Sequence, residues 1–126
     1  MARFKLEKQF RFEASHQLHK HDGKCSRLHG HSWVGTAIIE GDLLIQSGPK
    51  SGMLMDYGDV SAALKPIVEN YLDHWHLNET LPGLEEPTSE RIALWLYNIL
   101  KPSLPLLVAI RIEETCTSAA EYRPNK

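Results

Sequence analysis

FKLEKQFRFEASH, residues 4–16, is the stretch on which the reading of the fold turns. Apolar Phe4, Leu6, Phe10, Phe12 and Ala14 occupy every second position, with Lys8 the exception, and Lys5, Glu7, Gln9, Arg11 and Glu13 fall between them. Alternation of period two describes a strand with one face buried and the other wet. His16 has the parity of the apolar set, so a strand that persists to its end turns this imidazole inward.

Working outward, a second strand is expected from His29 to about Ile45. Trp33, Ala37 and Ile39 share a side with His29 and His31, and Val34 and Ile38 lie on the other, so both faces read as covered. QLHKHDGKCSRL, residues 17–28, is polar and carries a glycine, which joins the two strands as an antiparallel hairpin with a long functional loop. That topology sets the end of the first strand across from the start of the second. After the turn SGPKSG, the segment MLMDY reads as a short third strand, and Asp59 as a helix N-cap. Val60, Ala63, Leu64, Ile67, Tyr71 and Trp75 follow helical spacing, with Pro66 inside the pattern expected to bend the helix or shift its start.

NETLPGLEEP reads as a loop, and Thr88 or Ser89 caps a second helix whose apolar side holds Ile92, Leu96, Ile99 and Leu100, with Pro102 ending it. LPLLVAIRIEET is a strand with Leu106, Val108, Ile110, Ile112 and Glu114 on one face and Arg111 with Glu113 on the other, and a final strand around 118–123 completes a hairpin. Strands are segregated from helices. The expectation is one α+β domain over residues 1–126, an antiparallel sheet with two helices packed on one face.

Bulk properties narrow the function. A chain of 126 residues, 42% hydrophobic and 24% charged, fits a single domain. The formal charge of −2 and the lack of a long basic run give no electrostatic basis for binding nucleic acid. The opening MARFKLEKQF lacks the apolar run of a signal peptide and no later stretch is long enough to span a bilayer, so no membrane partner and a cytoplasmic location are expected. In that compartment Cys25 and Cys116 are expected as thiols, with one disulfide as the minor alternative.

Five of the seven histidines (His16, His19, His21, His29, His31) fall within sixteen consecutive positions. Residues i and i+2 of a strand project from one face, so His29 and His31 can aim at one point, with His16 arriving from the facing strand. Three neutral imidazoles suit Zn²⁺ at roughly 2.0–2.1 Å, and three protein ligands leave a fourth position open, the catalytic pattern. The plain alternative is polar residues satisfied at a strand end. His19 and His21, among Lys20, Asp22 and Lys24, read as solvated loop residues or weak anion contacts, and His76 as a surface or capping residue. Cys25 can present a thiol across the open position without coordinating the ion, or be an inconsequential loop residue. Cys116 reads as packing.

Asp73 and His74 are sequence neighbours near a helix end, where consecutive side chains diverge by about 100°. They either converge through an irregular terminus or serve as a bland cap. Glu114 lies at the apolar parity of its strand, and a buried carboxylate needs partners. It calls for a ligand with paired donors, such as the guanidine-like edge of a pterin, or for a buried Arg or Lys.

Together FEASH, CSRLHGH, GMLMDYGD, LDHWHLN, PTSE and EETCT resemble the 6-pyruvoyltetrahydropterin synthase family over about residues 10–123. The short C-x-x-x-H-G-H spacing resembles its bacterial carboxy branch, of queuosine and deazapurine biosynthesis, more than the pyruvoyl branch. The resemblance implies the tunnelling fold, with sheets joined into barrels in a hexamer, a dimer of trimers with active sites between subunits. It matches His16, His29 and His31 to zinc ligands, Cys25 to the general base, Asp73 and His74 to its proton relay, and Glu114 to the pterin anchor, also joined to the relay. The implied reaction converts 7,8-dihydroneopterin triphosphate to 6-carboxytetrahydropterin, releasing triphosphate and acetaldehyde. Lys20, Lys24 and Arg27 are candidates for the triphosphate on charge alone. Two alternatives stay open: the pyruvoyl synthase itself, and a non-catalytic zinc-binding protein.

Overall fold

The computed structural model describes residues 3–81 and 86–125. Strand β1 (Phe4–His16) and strand β2 (His29–Gly41) form an antiparallel hairpin in continuous register from Phe4↔Gly41 to His16↔His29. Strand β2 thus ends at Gly41, short of the expected Ile45. Strand β4 (Leu107–Thr115) pairs with β2, and strand β5 (Ser118–Tyr122) pairs with β4, both antiparallel.

The fifth strand of the described sheet was not expected. Strand β3 (Trp75–His76) pairs parallel with Ala14 and Ser15, giving the order β3-β1-β2-β4-β5 and making the sheet mixed rather than antiparallel. Trp75 is therefore not on a helix. Helix α1 (Tyr57–Ile67) continues into a π turn, Val68–Leu72. Pro66 lacks the N–H that would bond the preceding turn, and the wider turn that follows moves the helical phase, so the spacing that reaches Trp75 in sequence is broken before it.

MLMDY is not a strand. Ile45 N donates to Met53 O and Gly52 N to Ile45 O, a tight reversal that ends in helix α1. Asp56, not Asp59, is the N-cap: its carboxylate accepts from Gly58 N at 2.8 Å, and Asp59 lies in the first turn. Helix α2 (Leu77–Thr80) takes up the start of the expected loop, of which residues 82–85 lie outside the described residues.

Helix α3 (Ser89–Leu100) is capped by Thr88, whose hydroxyl accepts from Arg91 N at 3.2 Å. Ile92, Ala93, Leu96 and Leu100 are buried; Ile99 is exposed, contrary to its assignment to the apolar side. These residues join Val60 and Leu64 of α1 against Phe10, Phe12, Ala14, Trp33, Ala37, Ile39, Ile110 and Ile112 in one core on one sheet face. Phe10 lies flat against Gly35, where a Cβ would sit 2.1 Å from the ring. A bulge between Ile38 and Ile39 shifts β4 by one residue, so Leu107 enters the core in place of Leu106, which is exposed, and Val108, which is half-buried. Downstream of that bulge, Ile110, Ile112 and Glu114 keep the expected face. Cys116, in the β4–β5 turn, is exposed rather than packed.

Candidate metal centre and its surroundings

The hairpin register delivers the geometry. With His16 opposite His29 and His31 two residues along the same face, the three rings gather with centroids 4.5 Å (His16–His29), 5.2 Å (His16–His31) and 4.8 Å (His29–His31) apart. Trp33 forms the floor, its ring edge-on to His16 and His31. Glu114 enters from β4. One ligand atom from each of His16, His29, His31 and Glu114 lies within 4.8 Å of the others.

Hydrogen bonds fix which ring nitrogen points inward. Nδ1 of fully buried His16 lies 2.9 Å from the Pro87 carbonyl, and Nδ1 of His29 lies 2.7 Å from the Arg27 carbonyl. A carbonyl only accepts, so each Nδ1 carries the proton and each Nε2 presents a bare lone pair. Nε2 of His16 and Nε2 of His31 are buried without a hydrogen-bond partner. Glu114 Oε1 approaches them at 3.7 Å and 2.9 Å. Orphaned, inward imidazole nitrogens beside a carboxylate are the donor set of a divalent transition ion, and they fit Zn²⁺.

Electrostatics agree. Burial pushes the pKa of His16 and of His31 below the ordinary imidazole value; the Pro87 contact and Glu114 oppose this at His16, and Glu114 opposes it at His31. Both rings are therefore neutral near pH 7 and ready to ligate. Glu114 Oε2 accepts from the Ser89 hydroxyl at 2.9 Å, so its partners are Ser89 and the imidazoles rather than an Arg or Lys.

Cys25 lies on a short 3₁₀ turn, Lys24–Ser26, half-buried and a free thiol, and it is outside the ligand group. Asp73 and His74 converge despite being consecutive. The π turn ends at Leu72, His74 adopts a left-handed backbone (φ 65°), and its Nδ1 meets Asp73 Oδ2 at 3.0 Å. Glu13 holds both residues: its N–H donates to Asp73 Oδ1 at 2.9 Å and its carbonyl accepts from His74 N at 2.6 Å. The Glu13 N–H, then the His74 contact, keep the Asp73 carboxyl below the usual carboxylate range. The His74 side chain is 79% exposed and is not part of the metal cluster. His31 and His74 both line an open groove of about 460 Å³, together with Ser15, Trp75 and His76.

His19 and His21 are exposed; His21 Nδ1 only accepts from Gly23 N at 2.8 Å. His76 is half-buried, with Nδ1 3.0 Å from Ser15 Oγ, and so does more than face solvent. The contributions of the Pro87 carbonyl and the Ser89 hydroxyl were not read from sequence. The PTSE segment shows a helix start, but only the packing of α3 beside β4 brings it to His16 and Glu114.

A family model described as 6-pyruvoyl tetrahydropterin synthase matches residues 5–125. A Synechocystis sp. protein named 6-carboxy-5,6,7,8-tetrahydropterin synthase is 50% identical over 118 residues, 93% of this chain and 91% of its own length. A Haemophilus influenzae protein of the same name is 34% identical over 140 residues, 95% of this chain and 99% of its own. The solved 6-pyruvoyl tetrahydropterin synthase of Caenorhabditis elegans superposes with a TM-score of 0.84 at 25% identity, covering 99% of this chain and 98% of that one.

Proposed function

The chain belongs to the 6-pyruvoyl tetrahydropterin synthase family, and we propose that it is a 6-carboxy-5,6,7,8-tetrahydropterin synthase, an enzyme of queuosine and deazapurine biosynthesis. Its substrate is 7,8-dihydroneopterin triphosphate, and its products are 6-carboxytetrahydropterin, acetaldehyde and triphosphate. The observation that carries this reading is the convergence of His16, His29 and His31 with two orphaned Nε2 atoms, in a chain 50% identical to a named carboxy synthase.

His16, His29 and His31 would hold the ion through Nε2. When bound, Zn²⁺ supplies Lewis acidity at the side-chain oxygens of the substrate. Cys25 removes a proton at Sγ, from outside the ligand set. His74 returns one: its Nδ1 is held by the Asp73 carboxylate, so Nε2 is the end that exchanges protons, and Asp73 stabilises the charged ring. Glu114 anchors the paired donors of the pterin and joins the relay, with Ser89 holding one of its oxygens and leaving Oε1 facing the site.

The exposure of His74 supports an arrangement in which Asp73 and His74 serve a neighbouring subunit's site. Subunits then join their sheets edge to edge into a barrel and assemble as a hexamer, a dimer of trimers. Open sheet edges favour this, because unpaired strand edges invite pairing.

The test is product analysis after incubation with 7,8-dihydroneopterin triphosphate. Acetaldehyde and 6-carboxytetrahydropterin are expected. A 6-pyruvoyl product without acetaldehyde would assign the chain to the pyruvoyl branch, and no turnover by zinc-loaded protein would leave a binding protein.

A further inference from the structure

Just past His16, one side-chain amide does the work of a strand neighbour. Gln17 N donates to Asn78 Oδ1 at 2.8 Å, and Asn78 Nδ2 donates to Gln17 O at 2.8 Å. Both backbone groups of the residue adjoining a metal ligand are thereby satisfied by a residue that closely follows Asp73 and His74. This extends the pairing already made by Trp75 and His76 with Ala14 and Ser15.

The side chain of Gln17 has a second use. Its Nε2 donates to Ser26 O at 2.8 Å, and next to it Leu18 N donates to Cys25 O at 2.9 Å. The turn that carries Cys25, Lys24–Ser26, contains no buried residue. Without a hydrophobic anchor, that turn depends on hydrogen bonds for its place relative to β1.

We infer that Gln17 is a positioning residue: its side chain registers the Cys25 turn against the strand bearing His16, and Asn78 fixes the backbone from which that side chain reaches. The inference deepens the proposed function, because it rests on the role given there to Cys25. The chemical logic is that of proximity. The thiol of Cys25 and the histidine cluster must share one frame to about an ångström, and residue 17 adjoins His16 and bonds the Cys25 turn.

The experiment uses a Cys116→Ser background, in which Cys25 is the sole thiol. The readouts are the rate of Cys25 alkylation by iodoacetamide, zinc content, and kcat and KM separately. Gln17→Met keeps the length but removes the donor to Ser26 O. Loss of one hydrogen bond of ordinary net strength is expected to raise the alkylation rate about fivefold and lower kcat by a similar factor. Zinc content should stay unchanged and KM within about twofold.

Asn78→Asp keeps the acceptor for Gln17 N, loses the donor to Gln17 O, and should shift the same readouts in the same direction. Because both changes act through residue 17, the double variant should show less than the product of the single effects. An unchanged alkylation rate in Gln17→Met, or effects that simply multiply, would overturn the inference. Should Gln17→Met fail to fold, the alkylation rate in Asn78→Asp decides alone: a rise supports the inference and no change refutes it. If the wild-type chain does not turn over dihydroneopterin triphosphate, the proposed function fails, while the alkylation arm still judges the role of Gln17.

Discussion

Glu114 is the residue whose role the geometry defines most sharply. It lies at the apolar parity of β4, its Oε2 tied to Ser89 and its Oε1 2.9 Å from an orphaned histidine nitrogen. A carboxylate so placed can serve the ion or the substrate. As pterin anchor, Glu114→Gln should retain a full complement of zinc while KM rises by about tenfold or more, the cost of replacing a charge-assisted pair of acceptors by a neutral amide. Metal analysis beside steady-state kinetics checks this; loss of zinc would make Glu114 a fourth ligand instead. The inward parity of Glu114 was visible in sequence, and so was that of the three histidines. The pairing of Asp73 with His74 stays open in sequence, between convergence through an irregular terminus and a bland cap, because it depends on the left-handed backbone at His74, which no side-chain spacing reveals.

Among the elements, the β1–β2 hairpin sets the precision of the site, since a one-residue slip would turn His29 and His31 to the other face. Its packing is tightest where the Phe10 ring covers Gly35. Gly35→Ala is expected to cost about 1–3 kcal/mol, because the added methyl overlaps the Phe10 ring, which is packed in the core. Urea unfolding measures this directly; a stability within 0.5 kcal/mol of wild type, the usual spread for substitutions without structural consequence, would mean that the ring yields freely.

The hairpin was legible because its alternation runs for a dozen residues with one breach at Lys8. The segments around Met53 and Trp75 were misread for physical reasons. The apolar run Met53–Met55 of MLMDY forms part of a reversal in which Ile45 N donates to Met53 O, and a two-residue parallel strand is too short to carry a period. The bulge opposite Ile38 and Ile39 likewise left no mark in the LPLLVAI run, since every residue there is apolar or nearly so.

For the whole molecule, a single chain gathers His16, His29, His31 and Glu114 into a cluster able to hold a metal but leaves the His74 ring exposed. An assembly in which one subunit gives Cys25 and its neighbour gives Asp73 and His74 makes a prediction that a self-contained site does not. Cys25→Ala and His74→Ala should each be inactive alone. Unfolded together in equal amounts and refolded as mixed oligomers, they should regain about a quarter of wild-type activity, because one site in four draws both intact groups. Mixtures that stay inactive while co-assembling would place both groups in the same chain. Among the described residues no helix is long and apolar enough to cross a membrane.

The central claim is that His16, His29 and His31 ligate one ion and that the thiol of Cys25 stays outside its coordination sphere. Zinc-edge X-ray absorption on the purified, zinc-loaded protein tests it most directly. The account predicts imidazole nitrogens at about 2.0–2.1 Å, light atoms completing the shell, and no sulfur; a sulfur scatterer at about 2.3 Å would contradict it, making Cys25 a ligand and the centre a closed, structural one.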